Sequence, residues 1–390
     1  MSLPPALLAP APQAVFRALP RARAVGGCVR DWLAGLPLHD LDMAAPGPPQ
    51  AIAAALEAAG FKVFGTGLAH GTVTAVLDHL PIEVTALRRD VATDGRHATV
   101  EWTDDWQEDA ARRDFTINAM SLGADGALHD HFGGAADLRA GRVRFVGDAA
   151  IRLREDHLRA LRFFRFQARY GRGAPDAAAL EAIRGAVPLL ARLSAERVWM
   201  ELKRLLEAPD PRGALALMAG SGVLGAVLPE AGSPGRLDPV LDTRDPLLRL
   251  AALLPPGTDL ASLSARLRWS GAELARMRAL HDVAALEPRT DALARRRMAA
   301  RLRARSPAAA PGEVARVAAA EDPQGPWAAL FDLPAGADFP LQGRDALAAG
   351  LPPGPALGRL LGEVREWWIA GGAAAGREQC LAELVARARA

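Results

Sequence analysis

Two aspartates, Asp40 and Asp42, close the segment GGCVRDWLAGLPLHDLD at residues 26–42. Side chains on a strand alternate faces, so an i, i+2 pair on a strand points the same way. Two ionised carboxylates held that close repel each other unless a cation lies between them. Hard oxygen ligands of this kind suit Mg²⁺, which binds through one or two carboxylates plus substrate phosphates. The same segment opens on Gly26 and Gly27, ahead of a predicted helix over 29–35, where backbone N–H groups can approach a triphosphate. Neither half is specific alone: a glycine pair before a helix is commonly a tight turn, and a lone DxD is commonly a solvated strand end. In this order, on a strand–helix–strand reading, they point to nucleotidyl transfer.

Three further clusters carry chemistry. Glu83 is one carboxylate among apolar residues in PIEVTALR, either a solvent-facing strand residue or a third carboxylate beside Asp40 and Asp42, as metal ligand or base. In RRDFTINAM, Arg112 and Arg113 oppose the dipole of a helix start, a penalty that a phosphate or ribose ligand would offset. Asp114 and Asn118, four apart, can both hydrogen-bond sugar hydroxyls, the plain alternative being an N-cap aspartate behind exposed arginines. In EDHLRALRFFRFQARYG, the spacing predicts one helix with Asp156 and Arg159 as neighbours. An acceptor beside a donor fork matches cytosine and adenine, whose Watson–Crick edges set an amino donor next to a ring-nitrogen acceptor; uracil and guanine present the reverse. An ordinary helical salt bridge is the competing reading. Arg162 lies one turn from Arg159, within reach of nucleotide or phosphate.

The elements that must position these groups divide the chain into an α/β first third and a helical remainder. Strands are predicted at 23–25, 41–44, 62–65, 72–77 and 82–87, with a helix at 49–59. Residues 88–107 are polar and aperiodic and are expected to form a surface or lid loop. From about residue 148 helical periodicity dominates, punctuated by Gly and Pro clusters. The 390 residues suffice for two or more domains. A net charge of +2 does not announce a nucleic-acid partner, and with only Lys62 and Lys203 as lysines the positive charge is almost all arginine. The arginine run 295–305 therefore reads first as a solvated face, and only second as an RNA grip. Cys28 and Cys380 lack metal-ligand spacing, which argues for a reducing compartment. No signal peptide or membrane span is expected, and a cytoplasmic location follows. His281-Asp282 is a lone pair and is not read as a phosphohydrolase site.

Taken together, GGCVRD (26–31), DLD (40–42), IEVTALR (82–88), DGRH (94–97), RRDFTINA (112–119), GGAADL (133–138), EDHLRALRFFRF (155–166) and SAERVWMEL (194–202) resemble the class II CCA-adding tRNA nucleotidyltransferase and bacterial poly(A) polymerase family of the DNA polymerase β superfamily. The match covers about residues 21–205. It implies an α+β fold: a catalytic head with a small mixed sheet (1–146), a helical neck holding the nucleotide template (147–212), and a helical body and tail that bind RNA (213–390). By motif match Gly26, Gly27 and Arg30 contact the triphosphate, and Asp40 and Asp42 bind two Mg²⁺. Arg113 and Asp114 border sugar and phosphates, Asp156 and Arg159 read the base with Arg162 nearby, and the loop around 88–107 helps switch from CTP to ATP. The implied activity is CCA addition to the tRNA 3′ end, with poly(A) polymerase or a partial CC- or A-adding enzyme as alternatives.

Overall fold

In the computed structural model, which describes residues 3–38, 40–67, 71–93, 98–289 and 291–389, the N-terminal part builds β1 (Arg23–Val25), β2 (Asp42–Ala45), β3 (Lys62–Gly67), β4 (Thr72–Leu77), β5 (Leu80–Ala86), β6 (Arg88–Thr93), β7 (Ala98–Trp102), β8 (Ser121–Gly123) and β9 (Leu128–His129). Seven of them form a mixed sheet in the order β3-β4-β5-β2-β1-β8-β9. Only β2 and β5 run parallel, with Asp42 opposite Glu83 and Met43 opposite Val84.

Alternation sorts this sheet into two faces. Val73, Ala75, Ile82, Val84 and Met43 are buried and share one side, against which α3 (Pro49–Ala58) packs with Ile52 and Leu56. Thr74, Thr85, Glu83 and Asp42 share the other side, so the carboxylates stand on the face opposite α3. The expectation that Asp40 lies on the same strand as Asp42 is corrected: β2 starts at Asp42. The parallel register would set Pro81 opposite Asp40, and proline has no N–H to extend the ladder.

Residues 88–107 are not one loop. β6 and β7 form a two-stranded antiparallel sheet, Arg88 opposite Trp102 and Thr93 opposite Ala98, and Trp106–Ala111 is helical. An Asp-Gly step at 94–95 between residues of high strand propensity is a hairpin signal that the polar composition masks. The DGRH motif itself lies outside the described residues.

The helices of the first half are α1 (Pro10–Ala18), α2 (Gly27–Leu33), α3, α4 (Trp106–Ala111), α5 (Gly134–Ala140), α6 (Ala149–Glu155), α7 (Arg159–Tyr170), α8 (Ala177–Ala186) and α9 (Ala195–Leu206). The single helix expected over 155–171 is broken. Asp156 adopts an extended backbone (φ −153°, ψ 108°), and its Oδ1 accepts from Leu158 N at 3.0 Å. A short acceptor side chain competes with the helical ladder at that point, and α7 restarts beyond it. Phe163 and Phe164 are buried on α7; Phe163 packs with Phe115 and Phe145, and Phe115 and Phe145 lie 4.9 Å apart between centroids. This aromatic cluster anchors α7 to the RRDF segment.

The chain divides into two compact units, Met1–Arg197 with Leu217–Val227, and Val198–Ala216 with Leu228–Ala390. The second is helical. In it the fully buried Arg249 donates to the main-chain carbonyls of Leu206, Ala208, Pro209 and Leu241, and Cys380 packs among Ala300, Val364, Trp368 and Leu384. No helix among the described residues is long and apolar enough to cross a membrane.

Candidate active site

The carboxylates come first. Asp42 is half-buried, while Asp40 and Glu83 are exposed. Burial, then the charges of Glu83 and Asp40, push the Asp42 carboxyl above its ordinary range, and Arg113 opposes them. A divalent cation would relieve this repulsion, and the donors are the hard oxygens that Mg²⁺ takes. Among the described residues no three Asp, Glu, His or Cys side chains form a ready-made metal cluster. Two carboxylates with substrate phosphates are the arrangement that fits.

Arg113 connects these acids to the glycine turn. Gly26 has φ +68°, a conformation L side chains rarely adopt, and a Cβ there would stand 3.2 Å from Arg113 Nη1. Arg113 is aimed by Asp109 on α4: Nε and Nη2 donate to Asp109 Oδ2 at 3.3 and 3.0 Å, and Nη1 donates to the Asn118 carbonyl at 3.3 Å. Arg112 donates twice to Asp109 Oδ1, at 2.9 and 2.7 Å. Burial alone would raise the Asp109 carboxyl, but Arg113 and Arg112 outweigh it and hold it below its ordinary value. The expected helix start is corrected: Arg112 caps the C-terminus of α4, where the helix dipole favours cations, so no penalty arises, and both arginines pair with a buried aspartate one turn upstream, at i−3 and i−4. That pairing was readable from the spacing and was missed.

A second chain of hydrogen bonds fixes Arg30. Its Nε donates to Asp31 at 2.9 Å and its Nη1 to Asn118 Oδ1 at 2.6 Å. Asn118 Nδ2 donates to Asp114 Oδ1 at 2.9 Å, which also accepts from Phe115 N at 2.8 Å. Arg162 donates to Asp114 Oδ2 through Nε at 2.8 Å. Asp114 is buried, yet Arg162 and these hydrogen bonds overcome the burial and keep its carboxyl low. Asp114 therefore aims Arg162 and Asn118.

Asp156 and Arg159 are adjacent but are not paired with each other. Asp156 Oδ2 accepts from Arg197 Nη2 at 2.7 Å. Arg159 Nη1 donates to Glu155 at 2.6 Å and to the Arg152 carbonyl, and Nη2 donates to the Arg112 carbonyl at 3.0 Å. The ordinary i, i+3 salt bridge is thus absent from this pair. Among the described residues Arg159 Nε–H and one Nη2–H remain without an acceptor, and each Asp156 oxygen keeps a lone pair. Arg197 and Glu155 hold the pair apart; Glu155 stands at i−4 from Arg159, a spacing that names it, whereas Arg197 is 41 residues from Asp156.

Five of the six arginines at 295–305 are paired within their own unit. Arg295 pairs with Asp332, Arg301 with Glu287, Arg303 with Asp338 and Arg305 with Asp282, while Arg297 donates to the Ala370 carbonyl.

Residues 22–144 match the poly A polymerase head domain, and residues 174–233 match the family described as a probable RNA and SrmB-binding site of polymerase A. The chain is 36% identical over 373 residues to the mitochondrial CCA tRNA nucleotidyltransferase 1 of Danio rerio, covering 89% of this chain and 83% of that protein. It is 39% identical over 208 residues to the CCA-adding enzyme of Geobacillus stearothermophilus, covering 53% and 50%. The crystal structure of the Bacillus stearothermophilus CCA-adding enzyme in complex with CTP superposes with a TM-score of 0.76 at 28% identity, covering 98% of both chains.

Proposed function

Because the chain belongs to the class II CCA-adding tRNA nucleotidyltransferase family, we propose that it restores CCA to the tRNA 3′ end, by two transfers from CTP and one from ATP. In each, the terminal 3′-hydroxyl attacks the α-phosphate and pyrophosphate leaves. The observation that carries this reading is the convergence of Asp42, Glu83, Arg113 and Gly26 on the sheet face opposite α3, in a chain 36% identical to a CCA tRNA nucleotidyltransferase over 89% of its own length and 83% of the relative's.

Each residue then has a part. Gly26 and Gly27 leave room for the triphosphate, and Arg30 and Arg113 neutralise its oxygens. Asp40 and Asp42 would hold Mg²⁺, which when bound supplies Lewis-acid activation of the hydroxyl and charge neutralisation at the leaving group. Glu83 stands across from Asp42 as the third carboxylate, placed to accept the hydroxyl proton. Asp156 accepts from the exocyclic amino group of cytosine or adenine, and Arg159 donates to the adjacent ring nitrogen. Uracil and guanine would leave both unsatisfied, at a cost of about 1–3 kcal/mol per group. Arg162 and Asn118, aimed by Asp114, border the sugar and phosphates. The helical chain from 213 onward would hold the tRNA.

Incubating the protein and Mg²⁺ with tRNA lacking its 3′ end, with each nucleotide singly and mixed, tests this. CTP alone should add two residues and the CTP–ATP mixture should end at CCA. A homopolymeric tail from ATP would identify a poly(A) polymerase, and arrest after CC or addition of A alone would identify a partial enzyme.

A further inference from the structure

Arg30 is held by more than its hydrogen bonds. Its guanidinium carbon lies 4.7 Å from the Tyr170 ring centroid and 5.1 Å from that of Phe166, and those two rings stack at 5.9 Å. The Tyr170 hydroxyl donates to Asp31 Oδ1, the same oxygen that accepts from Arg30 Nε. Tyr170 therefore restrains Arg30 twice, through its ring face and through Asp31. Among the described residues Arg30 Nη2 makes no hydrogen bond, and it lies 3.6 Å from where a Cβ on Gly27 would be. The restraint thus leaves one donor edge facing the glycine turn.

We propose that Tyr170 is a positioning residue for the triphosphate grip, its ring and hydroxyl holding Arg30 so that Nη2 faces the space beside Gly27. This rests on the reading of Arg30 as a phosphate ligand. The physical case is entropic: an arginine side chain carries large rotamer freedom, and fixing it before the ligand arrives lowers the cost of binding. An aliphatic residue at 170 could fill much of the same volume but could neither orient Asp31 nor offer a π face to the cation. Burial foremost, with Asp31 adding and Arg30 opposing, pushes the phenol up to about 12, so it stays a donor through the working pH range. Because α7 also carries Arg162 and begins at Arg159, one helix would set both the base reader at its start and the phosphate reader at its end.

The test uses Tyr170→Phe, which keeps the ring, and Tyr170→Leu, which removes it. In Tyr170→Phe the KM for CTP and ATP and the inhibition constant of pyrophosphate should rise together about fivefold, the equivalent of one hydrogen bond. The kcat should hold within about twofold, and rejection of UTP should be unchanged. Tyr170→Leu should lose about tenfold or more. Unchanged KM and pyrophosphate inhibition in both variants would overturn the proposal, and so would altered UTP rejection with pyrophosphate inhibition unmoved, which would set Tyr170 at the base. Tyr170 is the chain's single tyrosine, so ring-labelled protein gives one tyrosine NMR signal. That signal should shift on pyrophosphate titration, with weaker binding in Asp31→Asn. This readout needs no tRNA, so it decides the inference even if the wild type adds nothing to tRNA, an outcome that would instead defeat the functional reading. A silent signal at saturating pyrophosphate would sink the proposal by itself.

Discussion

An isosteric Asp42→Asn exchange should abolish nucleotide incorporation and, in the same molecule, raise the thermal stability of the first unit. Asp42 stands opposite Glu83 in parallel register, and neighbouring strands lie about 4.8 Å apart, which sets the two carboxylates about 6 Å apart. At an effective dielectric of about 40–80, suited to a half-buried group facing an exposed one, their repulsion is about 0.7–1.4 kcal/mol. Relief of about 1 kcal/mol corresponds to about 2–4 °C for a unit of 150–250 residues. The pH dependence has a definite sign. Burial, Glu83 and Asp40 raise the folded-state carboxyl above its unfolded value. The penalty is therefore absent below the unfolded value and develops as pH rises through the folded one. Thermal melts without Mg²⁺ should show the variant ahead of the wild type at pH 7 and level with it near pH 3. Added Mg²⁺ should stabilise the wild type and leave the variant unmoved. A variant that melts below the wild type at pH 7, or a gap of equal size at both pH values, would refute the electrostatic account; retained incorporation would refute the site assignment.

Two other perturbations follow from the hydrogen bonds. Arg197→Ala removes the contact that steadies Asp156 at 2.7 Å, and discrimination of CTP over UTP should fall about tenfold with kcat for CTP reduced less than threefold, as read from kcat/KM ratios. Asp109→Asn strips the shared anion from Arg112 and Arg113 and should cost about 2 kcal/mol at pH 7, less than a fully buried pair because both guanidinium heads reach solvent. Since Asp109 is held below its ordinary value, the wild type should keep this advantage at neutral pH and lose it as pH falls below about 4, where the two unfolding curves should converge.

The sheet was legible where alternation was clean: the strands at 23–25 and 72–77 and the helix from Pro49 are where the sequence puts them. The β6–β7 pair was hidden because both strands are polar, so the period that marks a half-buried strand had no apolar partner residues to reveal it. Asp40 was placed on a strand because spacing alone cannot show that Pro81 denies it a ladder partner. The break at Asp156 was invisible for a related reason: a helical pattern of apolar residues continues across it, and only the competition of one carboxylate with the backbone interrupts the helix. The residues proposed to carry the chemistry, such as Asp42, Arg113 and Arg159, are named from type and order alone. Of their aiming partners, Asp109 and Glu155 are local, one turn from the arginines they hold, whereas Asn118 reaches Arg30 and Arg197 reaches Asp156 through tertiary contacts that no local spacing encodes.

The central claim is that one protein pair, Asp156 and Arg159, selects both cytosine and adenine while the carboxylate face treats all nucleotides alike. Measuring kcat/KM for CTP, ATP, UTP and GTP in the wild type and in Arg159→Ala tests it directly. Selectivity for C and A over U and G should collapse in the variant, with incorporation still dependent on Asp42. Unchanged rejection of UTP in Arg159→Ala would contradict it.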